Sequence, residues 1–481
     1  MKKKPFLYLL PLLFVFSINK TTAQTFAPAV KDYIKVDTSV PVVLMGAKLI
    51  DGTGGLPKLN QTIIIERGII QKVGNAADIG IPKNSYVINC AGKTIIPGLV
   101  MMHEHFFYTV VVPGRFFNVA EMPYSFPRMY LASGATTIRT TGSIEPQTDV
   151  NIKTMINQGI YIGPDIDVTA PYFEQAGFDI LSMNMIKDPE DATETVNFWA
   201  KRGCTSFKMY MHISRAEMLA AITAAHTLNL KVTGHICSVT YREAAAMGID
   251  NLEHGFFPSS DFDKDKKLDS CDDVAADSAL RSLPVNSPEM ANLIKYLVSK
   301  HVALTSTLPV FEPATGREVI LGGGADALLP EMLDIVTKRY QRYVNDKAYD
   351  SSDLAIFKKE MVWEKQFYDA GGLLLAGTDP TGSGRTLAGY GTRREVELLV
   401  EAGFTVPQAV KICSLNGAVY LGRDKKIGTV EAGKDADLVL IDGDLEKDIS
   451  NIRNTEIVFK KGVGFDSKKI FDSVKGKVGL Y

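Results

Sequence analysis

Eight short apolar or β-branched runs, most of them separated by stretches of helical character, restrict the possible folds of this chain more than any other feature. Helix-forming segments such as 188–203 and 214–230 separate them, and Ser214 and Glu217 have the spacing of a capping box. Eight strand–helix alternations over about 320 residues predict an α/β fold with a (β/α)8 barrel. The eight runs occupy residues 97–105, 134–142, 159–170, 205–211, 231–237, 248–256, 301–311 and 371–380.

Both ends of the chain show a different pattern. Residues 36–96 and 424–481 contain short strands separated by glycine-rich turns, which predicts one composite β-sandwich domain built from both termini. The barrel would then occupy residues 97–423, with a polar, aspartate-rich insertion at about 259–289. This insertion is expected to be a solvated loop or a lid, and it is a poor calcium loop because Lys266 stands where such a loop needs glycine.

The first 23 residues have the pattern of a secretory signal peptide, a lysine cluster followed by an apolar run and a small-residue cleavage site. The mature chain would begin at Gln24 and be exported, either periplasmic or secreted, with no membrane contact after cleavage; an uncleaved anchor helix is the alternative. The five cysteines are scattered, and buried free thiols are expected, including Cys237. A net charge of −2 gives no reason to expect a nucleic-acid partner.

Side chains that can bind a metal end several of the apolar runs. His103 and His105 are two residues apart, so they point the same way on a strand and Glu104 points away. Active sites of (β/α)8 barrels form where strand ends meet, so four of the seven histidines fall where a barrel would hold a metal. The candidate metal ligands are His103, His105, Lys208, His235, His254 and Asp379.

Taken together, PGLVMMHEH, VTGH, NLEHG, LLAGTDP and AGKDADLVLIDGD resemble the motifs of the amidohydrolase superfamily, in its prolidase-like and imidazolonepropionase-like branch. The resemblance implies a TIM-like, metal-dependent hydrolase barrel flanked by a small β-sandwich. It also implies a divalent metal cofactor, with two zinc ions per chain. His103, His105 and Asp379 would hold one ion, His235 and His254 the other, and a carboxylated lysine, Lys208, would bridge them.

The implied activity is hydrolysis of a C–N amide bond in a small molecule: a dipeptide, a cyclic amide or an N-acyl amide. A metal-bridging hydroxide would attack, and Asp379 would act as general base and then general acid. Tyr210 shares the face of Lys208 and is a candidate substrate contact or a packing residue. Among the arginines, Arg139 is expected to form a salt bridge, and one other could reach the barrel mouth: Arg385, Arg393 or Arg394.

The sequence is also compatible with other functions. A one-metal imidazolonepropionase-like hydrolase or deaminase would leave Lys208 unmodified, and a lactone or phosphotriester hydrolase could use the same kind of site. A binding protein on the same scaffold is disfavoured because none of the six ligands is missing. Substrate identity and self-association, such as a homo-oligomer, are not determined by the sequence.

Overall fold

A computed structural model describes residues 26–110, 118–177, 183–317, 322–345 and 351–479, so the predicted signal peptide lies outside the described residues. Short strands and helices alternate through the central part, and the predicted α/β class is confirmed. The strands are β1 (Ile34–Val36), β2 (Val42–Leu49), β3 (Lys58–Glu66), β4 (Ile69–Asn75), β5 (Tyr86–Asn89), β6 (Thr94–Pro97), β7 (Leu99–Glu104), β8 (Phe107–Val110), β9 (Asn118–Glu121), β10 (Ala135–Thr140), β11 (Asp165–Asp167), β12 (Phe173–Gln175), β13 (Asn184–Ile186), β14 (Ser206–Met209), β15 (Lys231–Gly234), β16 (Asn251–Glu253), β17 (Ala303–Ser306), β18 (Leu374–Ala376), β19 (Leu438–Ile441), β20 (Thr455–Lys460) and β21 (Val463–Asp466). The α-helices are α1 (Pro28–Lys31), α2 (Ser125–Ala132), α3 (Pro146–Asn157), α4 (Pro189–Ala200), α5 (Arg215–Thr227), α6 (Tyr241–Met247), α7 (Asp273–Ser282), α8 (Pro288–Ser299), α9 (Leu308–Phe311), α10 (Pro330–Asn345), α11 (Ser351–Asp369), α12 (Tyr390–Glu401), α13 (Val406–Lys411), α14 (Gly417–Tyr420) and α15 (Ser467–Ser473).

Strands from the two ends of the chain lie in one nine-stranded sheet. In its middle β6 pairs antiparallel with β19, with Thr94 opposite Ile441 and Pro97 opposite Leu438. β2 joins this pair through a parallel contact with β6, and β3 pairs antiparallel with the other edge of β2. Only Gly98 separates β6 from β7, so this sheet is covalently continuous with the first strand of the central region.

The central strands run parallel and bring their carboxyl ends to one edge. One sheet has the order β11-β10-β7, and the other has the order β13-β12-β14-β15-β16-β17-β18. A parallel bridge between Thr169 and Ser206 links them, and the nitrogens of Thr378 and Asp379, just after β18, donate to the carbonyl oxygen of His103 in β7 at 3.0 and 2.9 Å. Residues at the ends of these strands therefore face a common space.

The cysteines differ from the sequence-based expectation. Cys237 and Cys271 form a disulfide, with Cα atoms 5.1 Å apart, so the expectation of a free thiol at Cys237 is wrong. Spacing along the chain could not reveal this pair, because the insertion folds back over the segment after β15. The other three cysteines, Cys90, Cys204 and Cys413, are buried free thiols, as expected.

The 259–289 insertion is partly helical, because it contains α7 and the start of α8. The Lys266 ammonium donates to the carbonyl oxygens of Ser238, Lys267 and Ser270 at 2.6 to 2.9 Å. A side-chain cation from the segment that superficially resembles a calcium loop thus binds two carbonyls of that segment and a third, from Ser238, outside it. Within the described ranges, no helix is long and apolar enough to cross a membrane.

Candidate metal centre

His103, His105 and Asp379 form a buried cluster at the carboxyl ends of β7 and β18. One potential ligand atom from each lies within 4.8 Å of the other two. Asp379 Oδ1 is 3.1 Å from His105 Nε2 and 3.8 Å from His103 Nε2. Two imidazoles and one carboxylate around one point form a donor set that a divalent metal such as zinc accepts.

In each of three histidine rings, Nδ1 lies within hydrogen-bonding distance of another group of the protein. His103 Nδ1 lies 2.7 Å from Glu253 Oε2, and His105 Nδ1 lies 2.9 Å from the carbonyl oxygen of Gly142. His254 Nδ1 lies 2.8 Å from the hydroxyl oxygen of Thr307. Hydrogen bonds of this kind orient a histidine ring and leave its other nitrogen free to bind a metal.

The other candidate ligands adjoin the cluster. Lys208 in β14 places its Nζ 3.2 Å from His103 Nε2, within hydrogen-bonding distance. The His254 ring is centred 4.4 Å from the His103 ring, and the His235 ring 4.6 Å from that of His254. The structure therefore brings all six sequence-predicted ligands into one region, although only three of them form the tight cluster.

The charge state of the cluster suits a cation. Burial lowers the pKa of all four histidines, to about 4 for His103 and to about 3 for His235, so the rings are neutral at pH 7. Burial would raise the pKa of Asp379, but the surrounding histidines, His103 first, hold it well below its ordinary value. Neutral imidazoles beside an ionised carboxylate have the lone pairs that a divalent metal needs, and in this respect the residues present fit such an ion.

A buried ion pair lies behind His103. Glu253 also accepts a hydrogen bond from Arg139 Nη2 at 2.6 Å. Burial would raise the pKa of Glu253, but Arg139 and His103 bring it down to about 2. Strand alternation would place Glu253 and His254 on opposite faces, yet both contact the site, because the backbone of His254 is left-handed with φ 67°. Sequence reasoning missed Glu253 for this reason.

The segment that carries Asp379 is held tightly against β7. A Cβ atom on Gly377 would overlap the Cβ and the backbone nitrogen of His103, so only glycine fits there. Asp379 itself has φ 47°, a costly conformation for a non-glycine residue that recurs at functional sites. The close approach thus positions the carboxylate beside both histidines.

Glu104, between the two histidines, points away from them. Its Oε1 accepts a hydrogen bond of 3.0 Å from the backbone nitrogen of Thr378, and burial raises its pKa to about 8. On the other side, the Thr381 hydroxyl donates to Asp379 Oδ1 at 2.8 Å. Glu104 and Thr381 therefore act as positioning residues for Asp379 from opposite sides.

Two tyrosines flank the cluster. The Tyr210 ring is centred 5.0 Å from the His235 ring and 5.2 Å from the Tyr172 ring. The Tyr172 hydroxyl is 3.5 Å from His105 Nε2. Burial raises the pKa of both tyrosines, so each hydroxyl keeps its proton and can donate it in a hydrogen bond. Tyr172 lies just before β12 and was not a sequence candidate.

The arginines considered from sequence bind elsewhere. Arg139 forms the predicted salt bridge, with Glu253 as its partner. Arg385 donates to the carbonyl oxygens of Pro313 and Arg317, and Arg393 donates to that of Arg453. Arg394 forms ion pairs with the carboxylates of Glu312 and Glu397. These bonds hold Arg385, Arg393 and Arg394 to groups outside the ligand cluster.

Parallel strands with clustered histidines at their carboxyl ends define an α/β protein with a candidate metal site. The model of the amidohydrolase family matches residues 94–464, and the chain belongs to that family. It is therefore a member of a family of hydrolases that act on carbon–nitrogen bonds, and the resemblance seen in the sequence motifs is confirmed.

Individual relatives match over shorter stretches or at lower identity. The chain is 46% identical to an imidazolonepropionase of Vibrio cholerae over 48 residues, 10% of this chain and 11% of that protein. It is 42% identical to a 5-methylthioadenosine/S-adenosylhomocysteine deaminase of Moorella thermoacetica over 85 residues, 16% of this chain and 20% of that protein. The solved structure of an Xaa-Pro dipeptidase with bound methionine aligns with a TM-score of 0.65 and 18% identity, covering 89% of this chain and all of that one. This last likeness shows a shared fold.

Proposed function

We propose that the protein is an exported, metal-dependent amidohydrolase that cleaves a C–N amide bond in a dipeptide, a cyclic amide or an N-acyl amide. The observation that carries the proposal is the cluster of His103, His105 and Asp379, with the two histidines oriented by Glu253 and Gly142. Such orientation by a carboxylate or a backbone carbonyl is typical of metal-binding histidines.

Two zinc ions per chain are proposed, the second held by His235 and His254 and bridged by a carboxylated Lys208. Burial lowers the pKa of Lys208 to about 8, so a fraction of its amine is neutral near pH 7 and can react with carbon dioxide. Lys208 Nζ lies 3.2 Å from His103 Nε2, so a carboxylate carried on this nitrogen would lie beside the three-residue ligand cluster and could help to hold a metal there.

Bound divalent metals supply an acidified water and polarise the substrate carbonyl. The protein's own contribution begins with Asp379, whose ionised carboxylate can take the proton of the attacking water and return it to the leaving amine. The Tyr210 hydroxyl is proposed to donate a hydrogen bond to the carbonyl oxygen as negative charge develops there. Glu253 and Arg139 keep the His103 ring in place throughout.

The proposed architecture is a closed (β/α)8 barrel with a composite β-sandwich domain over residues 36–96 and 424–481. The parallel pairs from β7 to β18 and the bonds from the residues after β18 to His103 support closure. Export through a signal peptide at residues 1–23 also remains a proposal, and the Cys237–Cys271 disulfide supports it because disulfides persist in oxidising compartments.

A one-metal hydrolase or deaminase is the second candidate. One observation favours it: within the described part of the chain, the tight ligand group contains three residues, enough for a single ion. The sequence matches to an imidazolonepropionase and a deaminase point the same way. The two candidates differ in metal count and in the mass of Lys208, which a carbamate increases.

A hydrolysis screen tests the proposal. Chelated protein is reloaded with defined zinc and offered dipeptides, cyclic amides and N-acyl amides, with lactones and phosphotriesters as the competing class. We expect metal-dependent release of an amine. Equal activity after chelation, or turnover confined to lactones or phosphotriesters, would contradict it.

A further inference from the structure

A cavity of about 270 Å³ lies beside His235 and has largely apolar walls. The Phe257 and Phe311 rings stack at 3.9 Å, and the Phe311 ring is centred 5.7 Å from that of His254. Ile356 and Phe357 of α11 complete the apolar part. Ligand pockets usually measure about 300–1,000 Å³, so this one suits a single bulky side chain better than a large molecule.

The 259–289 insertion forms another wall of this cavity. Ala276, Asp277 and Arg281 of α7 line it, and so does Cys237, which is two residues after His235. The disulfide from Cys237 to Cys271 attaches the start of α7 to the strand end that carries His235. The insertion is thus covalently tied to the candidate metal centre.

The polar lining of the cavity carries a net negative charge. Among the described residues that line it, Asp273, Asp277 and Asp353 face one cation, Arg281. Arg281 already pairs with Asp277 at 2.6 Å and with Asp353 at 2.9 Å. Two negative charges remain in excess, which disfavours a carboxylate at this position.

We propose that this cavity is the specificity pocket of the enzyme: it holds a bulky apolar or aromatic side chain that flanks the scissile amide and rejects an acidic one. The inference rests on the proposed amide hydrolysis. It assigns the insertion, through the disulfide, the role of a fixed wall that determines which residue of the substrate is accepted. Asp273, Asp277 and Asp353 act by repulsion, which is a common element of specificity.

The test uses metal-loaded protein and two dipeptide series with alanine constant on one side and Phe, Leu, Ala, Lys or Glu on the other. In one series we expect kcat/KM for Phe to exceed that for Ala by at least about tenfold, the scale on which hydrophobic pockets discriminate, with Glu below Ala. Ala314→Trp should fill the cavity from its exposed edge and abolish the preference for Phe. Asp273→Lys should raise the rate for Glu relative to Ala by about fivefold.

Two controls place the same changes elsewhere: Ala216→Trp on the exposed face of α5, and Asp78→Lys in the exposed turn after β4. Both should leave the ranking unchanged. Active enzyme that does not prefer Phe or Leu in either series, or a preference that survives Ala314→Trp, would overturn the inference.

Binding measurements distinguish a failure of the pocket inference from a failure of the proposed amide hydrolysis. N-acetylphenylalanine amide, N-acetylalanine amide and N-acetylglutamate amide are titrated into the same protein by calorimetry. If no dipeptide, cyclic amide or N-acyl amide is hydrolysed, the amide-hydrolase proposal is contradicted. Tighter binding of the phenylalanine amide that is lost in Ala314→Trp would still support the pocket. Equal binding of the three amides overturns the pocket.

Discussion

Glu253→Gln tests whether the ion pair behind His103 supports the metal site. Glu253 is fully buried and bonds to both Arg139 and the His103 ring. The substitution removes the negative charge and leaves the Arg139 guanidinium buried beside a neutral amide. Breaking a buried ion pair by removing one partner typically costs about 3–5 kcal/mol of unfolding free energy. Loss of a group that orients a metal-binding histidine typically weakens metal affinity about 10–100-fold.

The pH dependence gives an independent estimate of the same contribution. The folded-state pKa of Glu253 is about 2, against an ordinary value of 4.5. A carboxyl whose pKa is depressed stabilises the fold above its ordinary pKa, and this stability is lost as pH falls from about 4.5 towards 2. The difference corresponds to about 3 kcal/mol, in line with the cost of breaking the pair.

The assay is chemical denaturation of the wild type and Glu253→Gln at several pH values from 7 down to 3, together with zinc affinity by chelator competition. The wild type should lose stability more steeply than the variant below pH 4.5. Glu446→Gln is a matched control, because the Glu446 carboxylate is exposed and exposed ion pairs contribute about 0–1 kcal/mol. Wild-type stability and zinc affinity in Glu253→Gln would show that this ion pair does not support the metal site.

Three other substitutions test single contacts. Glu104→Gln should retain zinc within about threefold of wild type, because the amide oxygen can still accept the backbone hydrogen bond, whereas His103→Ala should lose most of the bound zinc. Metal analysis after dialysis compares the two variants, and equal zinc losses would contradict the outward orientation of Glu104. Gly377→Ala should lower both the zinc content and the thermal stability, since the new methyl group overlaps His103. A variant with wild-type zinc content and thermal stability would show that the segment after β18 lies farther from β7 than the structure places it. Cys271→Ser opens a disulfide loop of 34 residues and should lower the free energy of unfolding by up to about 4 kcal/mol. The preference for Phe over Ala should weaken while the zinc content stays unchanged. An unchanged denaturation midpoint would contradict a structural role for the disulfide.

The parts of the site that lie in regular strands could be predicted from sequence. His103 and Lys208 belong to strands, and His105 directly follows one, so period-two alternation and strand ends place them together. His235 follows from the same reasoning, because it comes directly after β15. Local chemistry also predicted the capping box of Ser214 and Glu217, which α5 contains.

The parts that depend on irregular backbone or distant contacts could not be predicted. Glu253 and His254 both contact the site because the backbone turns left-handed at His254, and no spacing rule indicates such a turn. The Cys237–Cys271 disulfide and the packing of α7 against the cavity depend on how a long insertion folds back. Phe257 lies in the turn after β16 and Phe311 ends α9, so only the structure shows that their rings stack.

Metal titration is the sharpest test of zinc-dependent amide hydrolysis. Protein freed of metal by chelation is titrated with zinc in the presence of bicarbonate, and the rate of amine release is followed against bound metal per chain. The proposed two-metal site predicts no activity without metal. The rate should reach a plateau at about two bound ions per chain, as in two-metal hydrolases. A plateau near one bound ion per chain would favour the one-metal alternative. Full activity in metal-free protein would contradict zinc-dependent hydrolysis.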